Sequence, residues 1–308
     1  MIPYSKGGAR FVNSSVGIEV HVRFDVPWIS QVTRVLKGLP YLEVEYSIGP
    51  IPIDDGRGKE VITRFASPIR SNETFYTDSN GREFQERRRD YRPTYQLDLH
   101  EPIAGNYYPI NAAIYVEDES ASLSVLVDRS QGGSSLADGS VELMPQRRAL
   151  ADDHRGVDEA LNETDGGVTP YPPYGNRERW GNGVVIRGTY RILLGKGSSG
   201  AATSRSEMDE SFAHPSVFVA SAPSDTIARF SRTSFSALEK ALPQNVMLMT
   251  YKKLRDTNST FFLVRLGHKY AIHEHATLSG PVHLDLSKLF WGVSVVSAVE
   301  MTLSGNEE

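Results

Sequence analysis

The chain contains no cysteine, which rules out disulfide staples, thiolate metal ligands and a cysteine nucleophile. No run approaches the roughly 18 consecutive apolar residues that a membrane-crossing helix needs. Positive charge is not in excess either: 33 Lys and Arg stand against 38 Asp and Glu, a formal net charge of -5. That balance argues against a general nucleic-acid binder, which would be basic overall. The opening residues, Met1 to Gly8, lack the apolar core of a secretory leader. Long amphipathic helices are missing as well. So are the Gly-x-Ser-x-Gly of a nucleophile elbow and the Gly-x-x-x-x-Gly-Lys-Ser/Thr of a phosphate loop.

What remains has the period of strands. Tyr41 to Ile48 alternates apolar and polar residues, as a sheet with one wet face requires. Similar runs are residues 29–35, 113–116, 123–127, 184–194, 217–220, 246–251 and 261–266. Two more, 282–286 and 293–301, lie near the end. Short strands punctuated by Gly, Pro, Asn and Asp predict a sandwich. The best helical candidate is Ser234 to Leu242, with a serine at its start and Pro243 to stop it. Residues 152–180, rich in Gly, Pro and charge, predict a long loop of a kind that is often functional or partly disordered. Residues 195–210, with small residues throughout, read as a linker.

The densest local signal is Phe75 to Arg92. A turn, Asp78-Ser-Asn-Gly81, separates two alternating runs, and the second ends in Arg87, Arg88, Arg89 and Arg92. This predicts a hairpin. On a strand Arg87 and Arg89 face one way and Arg88 the other, which splits the cluster. Pairing within the sheet or with carboxylates of a neighbouring domain is the first expectation, exposed charge the second, and polyanion binding the third.

Other candidate groups read as structural. His273 and His275 are spaced to chelate one ion, but metal sites recruit three or four ligands and no third is near in sequence. Asp54 to Glu60 lacks the ligand spacing of a calcium loop and fits a turn. Asp152 and Asp153 are adjacent, so on a strand they would face apart. Glycosidase carboxylates instead face each other across about 5–10 Å, so this pair predicts a turn that orients Arg155. Four Asn-x-Ser/Thr triplets, at Asn13, Asn72, Asn162 and Asn258, lean towards the secretory pathway. A chain with such triplets and no leader reads as a fragment of a longer precursor.

Several motifs, in order, carry a resemblance. Trp28 to Arg34, Glu43 to Gly56, Phe75 to Arg92, Ala104 to Asn111, Asp128 to Leu136, Val141 to Met144 with Arg147 and Arg148, Asp152 to Gly156, Leu278 to Val282 and Glu300 to Ser304 together resemble the C-terminal half of family 38, class II, α-mannosidases of the lysosomal or vacuolar type. Met1 to Val22 fits less closely. The resemblance implies an all-β fold: a large antiparallel super-sandwich of the galactose-mutarotase-like type, followed by a smaller β-sandwich unit. Boundaries are expected at 1–19 for the poorly matching start, 20–195 for the large sandwich, 196–212 for the linker and 213–308 for the second unit.

It also implies a retaining hydrolysis of terminal α-D-mannose from N-glycans, in the vacuole, the lysosome or outside the cell. Zinc and two catalytic aspartates are then expected in an N-terminal catalytic domain that precedes this region, with no metal and no catalytic residue in this chain. His283 and Asp285 have the His-x-Asp spacing of the family's zinc motif but sit in a different context near the C-terminus, and are rejected as that site. Arg155 matches a family arginine that reaches the substrate pocket from the sandwich side. The expected partners are the catalytic domain and a mannoside, with no nucleic acid and no membrane span. The alternative is a free-standing carbohydrate-binding module, with Tyr107 and Tyr108 as candidate aromatic faces. A mutarotase-like epimerase is suggested by fold analogy alone.

Overall fold

The computed structural model describes residues 6–152, 154, 160–166, 181–213, 215–221, 234–254 and 261–305. They divide into two compact units, residues 1–213 and 214–308.

The first unit is built from thirteen strands, one α-helix and one short 3-10 helix among its described residues. In chain order the strands are β1 (Lys6–Asn13), β2 (Gly17–Phe24), β3 (Ile29–Leu36), β4 (Tyr41–Ile48), β5 (Lys59–Ala66), β6 (Thr74–Asp78) and β7 (Phe84–Arg88). They continue as β8 (Tyr108–Ile110), β9 (Ala113–Glu117), β10 (Ala121–Val127), β11 (Gln131–Ser134), β12 (Ser140–Arg148) and β13 (Ile186–Lys196). Nine of them form one sheet, ordered β1-β2-β3-β4-β13-β10-β9-β6-β7, and four form a second, β5-β12-β11-β8. Every pairing is antiparallel.

The core lies between the two sheets, and period-two alternation puts it there. Val44, Tyr46 and Ile48 of β4, Leu123 and Val125 of β10, and Tyr190 and Ile192 of β13 meet Val141 and Leu143 of β12. Tyr190 stacks on Tyr46 at 4.9 Å and meets the edge of Phe65 at 5.9 Å. Each large side chain so buried stabilises the fold by about 1.5–3 kcal/mol. The chain is all-β, and its first unit is a sandwich.

β10 is buried on both faces, because helix α1 (Gly200–Phe212) covers the outer face of the large sheet. This corrects the linker expected at 196–212: the segment belongs to the first unit. Met208 packs with Ala112, Ala113, Leu126 and Leu193. The carboxylate of Glu117 accepts from the Gly200 N–H at 2.9 Å, placing negative charge at the positive end of the helix dipole. A Cβ on Gly200 would stand 2.3 Å from the Tyr115 ring, so only glycine lets the helix come this close. The small residues that suggest a linker are what allow the docking. At the other extreme of the chain, Lys6–Asn13 is an edge strand paired with β2.

In the second unit, β14 (Val246–Leu254) and β15 (Phe261–His268) form a two-stranded hairpin. Tyr251 stacks on Phe262 at 5.0 Å and on Phe290 at 4.3 Å. Ser234 to Leu242 is not a helix. The Ser236 hydroxyl accepts from Leu238 N–H at 3.1 Å, and Glu239 N–H and Trp291 N–H bond to Leu289 and Ala237 carbonyls. These local and cross-chain bonds compete with helical ones and prevail. The runs at 217–220, 282–286 and 293–301 are likewise not strands of any sheet among the described residues. None of these runs is hydrogen-bonded to a neighbouring strand among the described residues.

Candidate functional site

The hairpin expected at residues 75–92 forms, as β6 and β7, with Tyr76 opposite Glu86. Asp78 anchors its turn. The carboxylate is fully buried, yet Oδ1 accepts from the N–H groups of Asn111, Ala112 and Ala113 at 2.7–2.9 Å, and Oδ2 from Gly81 at 2.8 Å. Four backbone donors compensate the loss of water that would otherwise make a buried charge so costly.

The arginines beyond the turn are engaged inside the first unit. Arg87 donates to Thr77 Oγ1 at 3.1 Å and lies 4.3 Å over the Tyr108 ring. Arg88 meets Glu73 at 3.4 Å. Arg89 bridges Asp138 at 3.2 Å and the Ser135 carbonyl at 3.3 Å. Arg92 donates to the Gly105 carbonyl and covers Tyr108 at 5.3 Å. Intra-unit pairing, the first of the three expectations, accounts for these contacts.

A groove of about 490 Å³ opens beside the small sheet, lined among others by Glu60, Tyr107, Gln131, Met144, Gln146 and Arg147. Tyr107 lies flat on β11 because Gly132 has no side chain; a Cβ there would stand 3.2 Å from the ring. Its hydroxyl donates to Glu142 Oε1, while Arg64 donates to Oε2 from both Nε and Nη2. Burial, and then the Glu142 charge, push the Tyr107 phenol well above its usual range. Glu142 is itself buried, so both its oxygens are committed to an ion pair and a phenol. Such a carboxylate is an acceptor held in place by charge-assisted hydrogen bonds.

Arg155 and Asp153 lie outside the described residues, as does Asn258. Before it in the chain, Asp152 and His154 are described. Asp152 accepts from the His154 N–H at 2.7 Å and meets His154 Nδ1 at 3.1 Å, and His154 has a φ of 59°; the turn expected to orient Arg155 lies outside the described residues. Upstream, Arg148 donates to Asn162 Oδ1 at 2.5 Å and to the Ile51 carbonyl at 2.8 Å. Asn13 and Asn72 are exposed, whereas Asn162 is half-buried against Arg148.

The candidate metal-ligating groups among the described residues are engaged in other bonds. His275 Nδ1 accepts from the Thr277 and Leu278 N–H groups at 3.2 and 3.1 Å. The Asp285 carboxylate caps a short 3-10 turn through Ser287, at 3.0 Å to its N–H and 2.5 Å to its hydroxyl. Among the described residues no three His, Asp or Glu side chains converge as a ligand set. Lys59 Nζ, at the start of β5, is held by the Pro52 carbonyl and by Asp55, each at 2.7 Å, which closes the turn before the strand.

Residues 7–155 match the family model described as "Glycosyl hydrolases family 38 C-terminal domain". The chain carries the C-terminal domain of family 38. It is 44% identical to a "Probable alpha-mannosidase" of Arabidopsis thaliana over 94% of its own length and 27% of that protein. It is 43% identical to the "Lysosomal alpha-mannosidase" of Bos taurus, covering 97% of this chain and 28% of that one. The human protein of the same name is 44% identical over 94% of this chain and 27% of its own. The family 38 chain thus spans less than a third of the curated relatives it matches. A crystal structure of a family 38 protein from Enterococcus faecalis superposes with a TM-score of 0.51 at 14% identity, over 85% of this chain and 32% of that one. That likeness concerns the fold.

Proposed function

We propose that this chain is the C-terminal, non-catalytic portion of a retaining α-mannosidase that removes terminal α-D-mannose from N-glycans. Its sandwich braces a catalytic domain of the same polypeptide, where the zinc and the catalytic aspartates reside. One observation carries the reading: two carboxylates buried against the sheets, those of Asp78 and Glu142, are already used to hold the sandwich together. Asp78 serves four backbone donors and Glu142 serves Arg64 and Tyr107. A retaining mechanism needs two carboxyl groups about 5–5.5 Å apart with a sugar between them, one to attack and one to exchange a proton. Saturated acceptors fill neither role. The name "Lysosomal alpha-mannosidase" of its mammalian relatives supports a whole-protein location in the lysosome or the equivalent vacuole, and no helix among the described residues is long and apolar enough to cross a membrane.

Arg155 is the one residue of this chain proposed to reach the substrate. A guanidinium stays charged at any working pH and offers a fixed fork of donors to sugar hydroxyls or to an acidic neighbour. Asp152, turned by its bonds to His154, stands three residues before it. The test is a chimera in which this chain replaces the matching segment of the Arabidopsis relative. It should hydrolyse an aryl α-mannoside, and Arg155→Ala should lower kcat/KM by at least about tenfold, as loss of one charged donor does. A folded but inactive chimera would count against the reading.

The free-standing carbohydrate-binding alternative draws on the groove beside Tyr107. Saturable mannose binding by the isolated chain, lost in Tyr107→Ala, would favour it.

A further inference from the structure

We infer that Asn182 is a site of spontaneous covalent modification, at which the side-chain amide is lost as ammonia and the residue becomes aspartate or isoaspartate. The inference goes beyond the functional reading and holds whether or not that reading stands.

Asparagine is a thermolabile residue, and the chain contains two Asn-Gly pairs, Asn80-Gly81 and Asn182-Gly183. Glycine has no Cβ to hinder the approach of its own nitrogen to the preceding side chain. The reaction needs only water as co-reactant. The glycine nitrogen attacks Cγ of the asparagine; an N–Cγ bond forms, the Cγ–Nδ2 bond breaks, and Nδ2 leaves as ammonia with the proton the nitrogen gives up. Water then opens the cyclic imide. Opening at Cγ gives aspartate, and opening at the main-chain carbonyl gives isoaspartate, whose chain runs through Cβ and Cγ. Nothing is oxidised or reduced.

The fold restrains one pair and not the other. The Gly81 N–H donates to the buried Asp78 carboxylate at 2.8 Å, which puts an anion where the attack has to create negative charge. Asn80 Oδ1 accepts from the N–H groups of Arg82 and Glu83 at 3.0 and 2.9 Å, so rotating this side chain costs two hydrogen bonds.

At Asn182 both restraints are missing. The residue is exposed, and its side chain makes no hydrogen bond among the described residues. Gly183 faces Thr164 in an isolated bridge, but the hydrogen bond there runs from the Asp165 N–H to the Asn182 carbonyl at 2.8 Å, and leaves the Gly183 N–H unused. A cation stands beside this glycine: a Cβ on Gly183 would lie 2.4 Å from Arg148 Nη1. Arg148 donates to neutral acceptors, Asn162 Oδ1 and the Ile51 carbonyl, so its charge is not cancelled by them and favours the anionic nitrogen and the oxyanion that follows. Asp165 is the opposing charge, and its Oδ1 is held at 2.6 Å by the N–H of Asn182, one residue before the attacking nitrogen.

Either product adds a carboxylate next to Asp165. Isoaspartate also lengthens the main chain where Asp165 grips residue 182 through both its N–H and its carbonyl. The pairing of residues 164–165 with 182–183 is therefore expected to loosen as the protein ages.

The intact chain, incubated at neutral pH either folded or in urea, tests this by peptide mass mapping combined with isoaspartyl methyltransferase labelling. In urea the two identical dipeptides should react at similar rates. In the folded chain Asn182 should outpace Asn80 by at least about tenfold, well within what favourable electrostatics at a developing oxyanion supplies. A smaller ratio, or a folded chain in which Asn182 stays unreacted, overturns the inference. Asn182→Gln, at an exposed side chain without bonds to lose, should bring the label on the folded chain down to the level of Asn80 alone. Undiminished label in that variant would place the modification elsewhere and overturn the assignment.

Discussion

Replacing Asp78 by alanine is the sharpest perturbation of the sandwich. The wild-type carboxylate is fully buried and accepts from four backbone N–H groups, those of Gly81, Asn111, Ala112 and Ala113. Ala112 and Ala113 are themselves buried, so water cannot take the place of the lost acceptor there. Each such donor left unsatisfied costs about 1–3 kcal/mol, so the pair costs roughly 2–6. Gly81 and Asn111 are only partly covered and can turn to solvent, so they add little. The saving from no longer burying a charge offsets some of this, and a net loss of about 4 kcal/mol is expected. For a unit of this size, 1 kcal/mol moves the unfolding midpoint by about 2–4 °C, which predicts a fall of roughly 8–16 °C. Asp78→Asn should cost less, about 1–2 kcal/mol, because its amide oxygen still accepts while its NH2 opposes one donor. Thermal and urea unfolding followed by circular dichroism would read both. A shift below about 2 °C for the alanine variant would refute the idea that this carboxylate organises the turn.

Other outcomes follow from the same contacts. Gly200→Ala should push α1 off Tyr115, costing about 1–3 kcal/mol by overpacking and raising protease cleavage near residues 196–213. Glu207 is held above its ordinary pKa, first by burial and then by Glu210, with Arg191 opposing at 3.9 Å. Its folded pKa exceeds the unfolded one, so ionisation costs stability once pH rises above the folded value, and the cost vanishes as pH falls to the unfolded value. Glu207→Gln should therefore raise the unfolding midpoint at pH 8 and leave it unchanged at pH 4. In a glycosylating host, mass spectrometry should find glycan at the exposed Asn13 and Asn72, and less at Asn162, whose side-chain oxygen is held by Arg148.

Much of the fold was legible because the large sandwich obeys a local rule. Tyr41 to Ile48 alternates in sequence and is β4 to the residue, and Asp78-Ser-Asn-Gly81 marks the turn between β6 and β7. Helix α1 was hidden because its stability is tertiary: Gly200, Ser204 and Met208 face the sheet, and none of them writes an amphipathic stripe. Ser234 to Leu242 misled for the opposite reason, a helical composition overridden by bonds to residues 289–291. At the site, the Arg87 to Arg92 cluster announced its charge but not its partners. Asp138 and Ser135 are about 50 residues away in sequence, and no spacing rule connects them. The ion pair of Arg64 with Glu142, closed by Tyr107, went unseen for the same reason. Alternating polar residues such as these look solvated until the neighbouring strand is known.

The central claim is that this region holds an α-mannosidase together without breaking the bond. Initial rates on an aryl α-mannoside, with zinc present, should be indistinguishable from buffer for the purified chain and clearly above it for the chimera at equal concentration. Turnover by the chain alone, abolished by changing one of its own carboxylates, would contradict the account.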